Sequence, residues 1–133
     1  MKKQENKESK ESKLIESKEN TEINPSMDIE VIAEKIKKEQ GLKEVFITEI
    51  QGADLQLIWK RLSRKDYREI LSKEYSEDQE EAFFEKEEEV TRKVLLYPKN
   101  VDEIMEEFGA VAELISSEAM IKSGFGIKST TAV

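Results

Sequence analysis

The 133-residue chain contains no histidine and no cysteine. It therefore lacks the side chain that titrates near neutral pH and the most reactive thiolate nucleophile. It also lacks the usual ligands of zinc, copper and iron–sulfur centres, and it cannot form disulfide bonds, as is common for cytosolic proteins. We predict no catalytic residues, no metal site and no cofactor.

Long apolar runs are missing as well. No stretch approaches the roughly 18 apolar residues of a membrane span. The opening MKKQENKESK has lysines but no apolar segment of the kind that secretory signals carry. Hydrophobic residues make up 37% of the chain and charged residues 39%, so the core is expected to be thin and partner contacts are expected to add to its stability.

The first 26 residues form a distinct segment. Its apolar members are Met1, Leu14, Ile15 and Ile23, and the triplet Glu-Ser-Lys occurs three times. Such a segment cannot bury enough surface to offset its ordering entropy, so we predict a disordered arm. The arm contains six lysines and six glutamates, so the formal charge of −8 belongs to residues 27–133. The arm is either a solubilising tail or carries a short binding segment around Leu14 and Ile15.

Residues 27–125 are predicted to form a single domain, followed by a short flexible tail at 126–133. Ser26 is the expected N-cap of a first helix, in which Val31 widens a stripe of isoleucines. The period then changes: residues 43–50 and 55–59 alternate around a turn at 51–54, which predicts a β-hairpin.

Helices are predicted to dominate the rest of the domain. A Ser63 cap opens one helix, which runs to about Tyr75 with Tyr67, Ile70 and Leu71 on its apolar side. After a break at 76–78, an acidic helix is expected to continue to about Leu96. Its apolar stripe comprises Phe83, Val90, Val94 and Tyr97, and Pro98 ends it.

A final helical segment follows Asn100 and Glu103, which resemble a capping pair. Gly109 interrupts its apolar stripe and is expected to kink or divide it. Gly124 suits a helix C-terminus, with Phe125 packing back on the helix. The sum is an α+β fold, mainly helical, with one β-hairpin and a disordered N-terminal arm.

The motifs of common enzymes are absent. The abundant carboxylates, densest in residues 80–89, form an acidic run with neither the spacing nor the glycine of a calcium loop. Gly124-Phe125-Gly126 follows a helix, whereas phosphate loops open one. Ser116 and Ser117 lie within a predicted helix and have no evident activating base. We therefore expect a protein that is not an enzyme.

Charge is distributed unevenly along the domain. Residues 60–73 contain six basic side chains and two acidic ones, whereas residues 74–107 contain thirteen acidic side chains and four basic ones. The two segments either pair with each other inside the domain or present complementary charge for a partner or for self-association. Nucleic-acid binding is not expected, because the overall field repels phosphate.

Four aromatic residues are candidates for partner binding: Trp59, Tyr67, Phe83 and Tyr97. Each could belong either to the core or to a contact surface, since aromatic side chains dominate the energetics of both. Core packing is the simpler interpretation for Trp59, which ends the second predicted strand.

The order of motifs resembles the tail assembly chaperones of tailed bacteriophages. The matching segments are Leu62-Ser63-Arg64-Lys65-Asp66-Tyr67, Leu96-Tyr97-Pro98-Lys99 and Ser123-Gly124-Phe125, and the likeness covers about residues 43–125. Lys99 departs from the acidic residue that usually follows this proline. The loop that often comes next is replaced by residues 101–109, which look helical.

The resemblance implies a non-catalytic protein of the host cytoplasm. Its expected partners are the tape measure protein, whose helices such chaperones coat, and the tail-tube protein, whose polymerisation they promote. Self-association is expected too. Two alternatives remain open: a structural virion protein of the tail, baseplate or connector, and an acidic regulatory or inhibitory adaptor.

Overall fold

The computed structural model describes residues 28–126 and 129–133. Within them, five α-helices and three β-strands occur in the order α1 (Ile29–Glu39), β1 (Phe46–Ile50), β2 (Leu55–Trp59), α2 (Arg64–Ser72), α3 (Gln79–Val94), β3 (Leu95–Tyr97), α4 (Val101–Glu107) and α5 (Val111–Met120), and a terminal turn of helix spans Ile121–Phe125. The predicted α+β class, mainly helical with one hairpin, is confirmed. The predicted arm, residues 1–26, lies outside the described residues.

Short polar side chains start three of the helices. Asp28, Ser63 and Asp78 accept hydrogen bonds of 3.0 Å from the backbone N–H groups of Glu30, Asp66 and Glu80, respectively. Each bond satisfies one of the backbone donors that a helix start leaves without a partner. The predicted Ser63 cap of α2 is therefore confirmed, but the helix ends at Ser72 and not at about Tyr75, because Lys73 adopts extended backbone angles. The cap of α1 is Asp28 and not the predicted Ser26, which lies before the described part of the chain.

The hairpin has the predicted strands and gains a third. β1 and β2 pair antiparallel from Phe46 opposite Trp59 to Ile50 opposite Leu55. β3 pairs with the other edge of β2, placing Tyr97 opposite Ile58 and Leu95 opposite Trp59. Two adjacent residues of β2 thus face residues two apart on β3, which leaves Leu96 as the extra residue of a bulge. The prediction that α3 continues to Leu96 is wrong, because Leu95–Tyr97 gains backbone partners on β2.

The sheet lies between two layers of helices. On one face, Leu57 and Trp59 join a core built from α2, α3, α4 and α5, whose buried members are Leu62, Ile70, Val90, Val94, Leu95, Ile104, Val111, Ile115 and Ala119. On the other face, Ile58 packs against Ile32, Ala33 and Ile36 of α1. Because successive side chains of a strand point to opposite faces, the fully buried run Leu57–Trp59 supplies both cores.

Two apolar positions differ from the predicted stripes. Val31 of α1 and Leu71 of α2 are exposed, whereas the neighbouring Ile32 and Ile70 are buried. Each helix therefore buries a narrower side than the sequence pattern indicates.

The predicted division of the last helical segment is confirmed. α4 ends at Glu107 and α5 begins at Val111, with Gly109 between them. Asn100 is the N-cap of α4 but makes no capping bond. Its amide instead donates a 2.9 Å hydrogen bond to the Glu103 carboxylate. Gly124 has a φ of 97°, which suits glycine where the terminal turn ends.

None of the described helices is both long and apolar enough to cross a membrane.

Candidate partner-binding surface

The four aromatic candidates lie in different places. Trp59 is in the main core, and Tyr97 is half-buried beside the α1 cluster. Tyr67 packs against the main core and stacks on Phe125 with a centroid distance of 4.7 Å. Phe83 is 58% exposed. The structure does not bring the four together, and Phe83 is the member that is open to a partner.

Phe83 has a neighbour that the sequence analysis did not single out. Phe84 is 50% exposed, and the two rings meet edge to face with their centroids 5.9 Å apart. These two residues, the aromatic pair, lie in the first half of α3, before its first buried residue, Val90. The signal for Phe84 in the sequence is its position directly beside Phe83 in a helix whose other residues nearby are mostly charged.

Negative charge surrounds the aromatic pair along α3. Glu80 and Glu81 precede it, and Glu87 follows one turn later. Burial raises the pKa of Glu87 above its usual value, and the nearby carboxylates of Glu113 and Glu88 raise it further. Because no ion pair involving Glu87 occurs within residues 28–126, a cation brought to this position by a partner would relieve the repulsion.

Two ion pairs join the basic and acidic segments inside the domain. Lys73 of the basic segment lies 3.0 Å from Glu89 of the acidic segment, and Lys93 of the acidic segment lies 2.5 Å from Glu69 of the basic one. The contact between Lys93 and Glu69 lowers the pKa of the carboxyl group and raises that of the amine. The predicted pairing of the two segments therefore occurs, and α2 is held to α3 by it.

Arg92 adds a second link, between α3 and α4. Its guanidinium group lies 2.6 Å from the Glu89 carboxylate and 2.7 Å from that of Asp102. Burial by itself would raise the pKa of Glu89. Hydrogen bonds from Lys73 and Arg92 outweigh that effect and hold the pKa below its usual value. Glu89 is thus committed to internal contacts and is not part of the candidate surface.

A shallow groove of about 210 Å³ lies beside these ion pairs, lined by residues 73–76, 85, 88, 89 and 92. Tyr75 lies in its wall and donates a 2.6 Å hydrogen bond to the carbonyl oxygen of Ile70. The lining is polar, and Lys73, Glu89 and Arg92 within it are already paired with one another. Across the part of the chain that the structure describes, no group of three or more acidic side chains is placed to hold a metal ion.

Two of the three motifs that resemble the phage chaperones contact each other. The backbone N–H of Leu62 donates a 2.8 Å hydrogen bond to the Ser123 hydroxyl, and Tyr67 stacks on Phe125. The third, around Leu96 and Pro98, forms β3 and the cis peptide bond that follows it. The motifs therefore stabilise the domain, and the aromatic pair lies outside them.

Comparisons with known proteins give a likeness of fold. No family model matches the chain, and no curated protein matches it. A solved structure of an uncharacterised protein from Bacillus stearothermophilus is similar, with a TM-score of 0.57 and 15% sequence identity, over 74% of this chain and 98% of that one. At this identity the likeness shows that the two chains share a fold.

Proposed function

We propose that this protein is a non-catalytic phage assembly protein of the tail assembly chaperone type, acting in the host cytoplasm. In this role it coats the tape measure protein and promotes polymerisation of the tail tube. The proposal rests on the sequence resemblance together with one structural observation, the exposed aromatic pair on the acidic helix α3.

The aromatic pair is well suited to cover an apolar segment of another protein. Two phenylalanine rings that are about half exposed offer roughly 200 Å² of apolar surface, and burying it is worth about 5 kcal/mol. Association itself costs at least about 4 kcal/mol in lost freedom. One aromatic pair therefore supports weak binding, and strong binding requires added contacts or several copies along one partner.

The surrounding carboxylates indicate the chemistry of the partner. Glu80 and Glu81 precede the pair, and burial together with the nearby carboxylates of Glu113 and Glu88 raises the pKa of Glu87. An amphipathic helix with an apolar side flanked by lysine or arginine would bury the rings and neutralise these charges. The resemblance implies a long, helical tape measure protein, and repeated sites of this kind along it would let many copies bind.

The test is co-expression of the full chain with the tape measure protein of the same phage. We expect the wild-type chain to keep the tape measure protein soluble and to elute with it in size-exclusion chromatography. The double variant Phe83→Ser, Phe84→Ser should lose both effects while keeping its circular dichroism spectrum, because both rings are exposed. Val31→Ser is the control, since Val31 is also exposed but lies on the other layer of the fold.

Two results would contradict the proposal. One is a tape measure protein that stays insoluble, or that is solubilised equally by the double variant. The other is the presence of this chain in purified virions at structural stoichiometry, measured by mass spectrometry, because an assembly chaperone leaves before the particle matures.

A further inference from the structure

The sheet has one protected edge and one open edge. β3 is three residues long and is followed at once by Pro98, two features that discourage pairing with another strand. β1, at the opposite edge, is five residues long and contains neither proline nor glycine. Among the described residues it pairs with β2 alone, and its one further backbone bond is the turn bond from Ala53 to Ile50.

The side chains along this open edge are incompletely covered. Ile47 is 40% exposed, although its register partner Ile58 is fully buried beneath α1. A groove of about 340 Å³ runs between α1 and β1, with Ala33, Val45 and Ile47 as its apolar lining. Glu49 lies in β1, whereas Lys43 lies at a bend three residues before the strand, and both side chains are exposed. Among the described residues, the outer side of β1 thus has backbone groups without a strand partner, an apolar centre at Val45 and Ile47, and one exposed charge of each sign.

The β1 edge of one copy is complementary to the same edge of a second copy. If two copies of β1 pair antiparallel with Phe46 opposite Phe46, and the pairing extends back from the strand to Lys43, then Lys43 lies opposite Glu49 and Val45 lies opposite Ile47. The two-fold symmetry repeats both pairs. Opposite charges and branched apolar side chains are favourable when they face each other across strands. This register also keeps both α1 helices on the same face of the joined sheet, because residues of equal parity face each other.

Neighbouring registers are worse. A shift by one residue in either direction puts the α1 layer of one copy on the face that carries the main core of the other, and in one direction it also places Glu44 opposite Glu49. A shift by two residues sets charges against apolar side chains in both directions. One direction places Val45 opposite Glu49 and Glu44 opposite Ile50, and the other places Lys43 opposite Ile47 and Glu44 opposite Phe46. Charge and burial therefore select a single register.

We propose that β1 is a homodimerisation edge, at which two copies of this chain form a continuous six-stranded antiparallel sheet with Phe46 at the two-fold axis. The contact is independent of the phage role, and it lies on a different part of the domain from the aromatic pair. A dimer built in this way carries two aromatic pairs and so doubles the contacts available to a long helical partner.

Charge reversal in the full-length chain tests the edge and its register together. The wild-type chain should have twice the monomer mass of 15.4 kDa in sedimentation or light-scattering measurements. Lys43→Glu and Glu49→Lys should each weaken dimerisation about tenfold or more, because each turns two attractive pairs into repulsive ones. The double variant carrying both changes should dimerise like the wild type. Glu106→Lys, an exposed reversal on α4, is the control for net charge.

Cross-linking checks the register without altering charge. The natural chain has no cysteine, so Val45→Cys and Ile47→Cys each introduce a single thiol. Directly opposed strand residues have Cα atoms about 4.5–5.5 Å apart, within disulfide range. Mixed Val45→Cys and Ile47→Cys chains should therefore form a disulfide-linked dimer faster than either variant does alone.

A monomeric wild-type chain would overturn the proposal, whether the edge is then open or is covered by the chain's own N-terminal segment. A dimer that survives both single reversals, or one that the double variant does not restore, would also overturn it by placing the contact elsewhere.

Discussion

The indole N–H of Trp59 donates a 2.8 Å hydrogen bond to the hydroxyl oxygen of Thr48 on the adjacent strand. Trp59 is almost wholly buried, and its ring stacks on Phe46 with a centroid distance of 4.7 Å. The bond satisfies the single polar group of the buried indole. The hairpin is thus held by side chains on the face that meets the main core, as well as by its backbone ladder.

Thr48→Val should destabilise the fold. Valine keeps the shape of threonine but leaves the indole N–H without an acceptor, which costs about 1–3 kcal/mol. Denaturant unfolding followed by the fluorescence of the single tryptophan measures the loss. Thr48→Ser retains the hydroxyl group and is the control. Equal stability of the valine and serine variants would show that the hydrogen bond contributes little.

Adjacent residues of α2 provide a test of which side of that helix is packed. Ile70 is 3% exposed and Leu71 is 56% exposed, although the sequence pattern places both on the apolar side. Ile70→Ala should lower the free energy of unfolding by about 2–5 kcal/mol, through lost burial and a residual cavity. Leu71→Ala should change it by no more than about 0.5 kcal/mol. Comparable losses, measured by urea unfolding, would mean that Leu71 is buried in solution, for example by a second copy.

The hairpin and the Ser63 cap of α2 could be predicted because they depend on nearby residues. Gly109 likewise marks the division of α4 from α5 by its local conformational effect. β3 could not be predicted in this way. Leu95 to Tyr97 continue the apolar spacing of α3, and they become a strand because β2 offers them backbone partners at Ile58 and Trp59. That pairing joins residues far apart in the chain, so a local pattern does not reveal it.

The candidate surface could be predicted only in part, because it too depends on contacts between distant segments. An aromatic residue in an acidic helix belongs either to the core or to a contact surface. Which of the two applies depends on whether another helix packs against it. Phe83 and Val90 occupy the same side of α3, seven residues apart, yet Val90 is buried and Phe83 is open. The difference depends on which part of α3 the rest of the fold covers, and the sequence of α3 alone does not contain that information.

Glu89 makes the stability of the fold sensitive to acid. Its side chain is 13% exposed and accepts contacts from Lys73 at 3.0 Å and from Arg92 at 2.6 Å. Although burial opposes them, these contacts lower the pKa of Glu89 in the folded state. A carboxyl group with a lowered folded-state pKa stabilises the fold above its unfolded-state pKa, near 4.3, and that contribution disappears as the pH falls through the folded-state value.

Glu89→Gln should therefore lower stability at pH 7 by roughly 1 kcal/mol, a modest value because Lys73 and Arg92 are partly exposed and screened by solvent. The difference in unfolding free energy between the wild type and the variant should shrink between about pH 5 and pH 3. Protonation of Glu89 there removes from the wild type the stabilisation that glutamine does not provide. Urea unfolding at a series of pH values measures both effects. Glu88→Gln is the matched control, since Glu88 is 45% exposed and lies 3.8 Å from Arg92. A deficit that stays constant with pH would show that the charge of Glu89 is not what stabilises the junction of α2, α3 and α4.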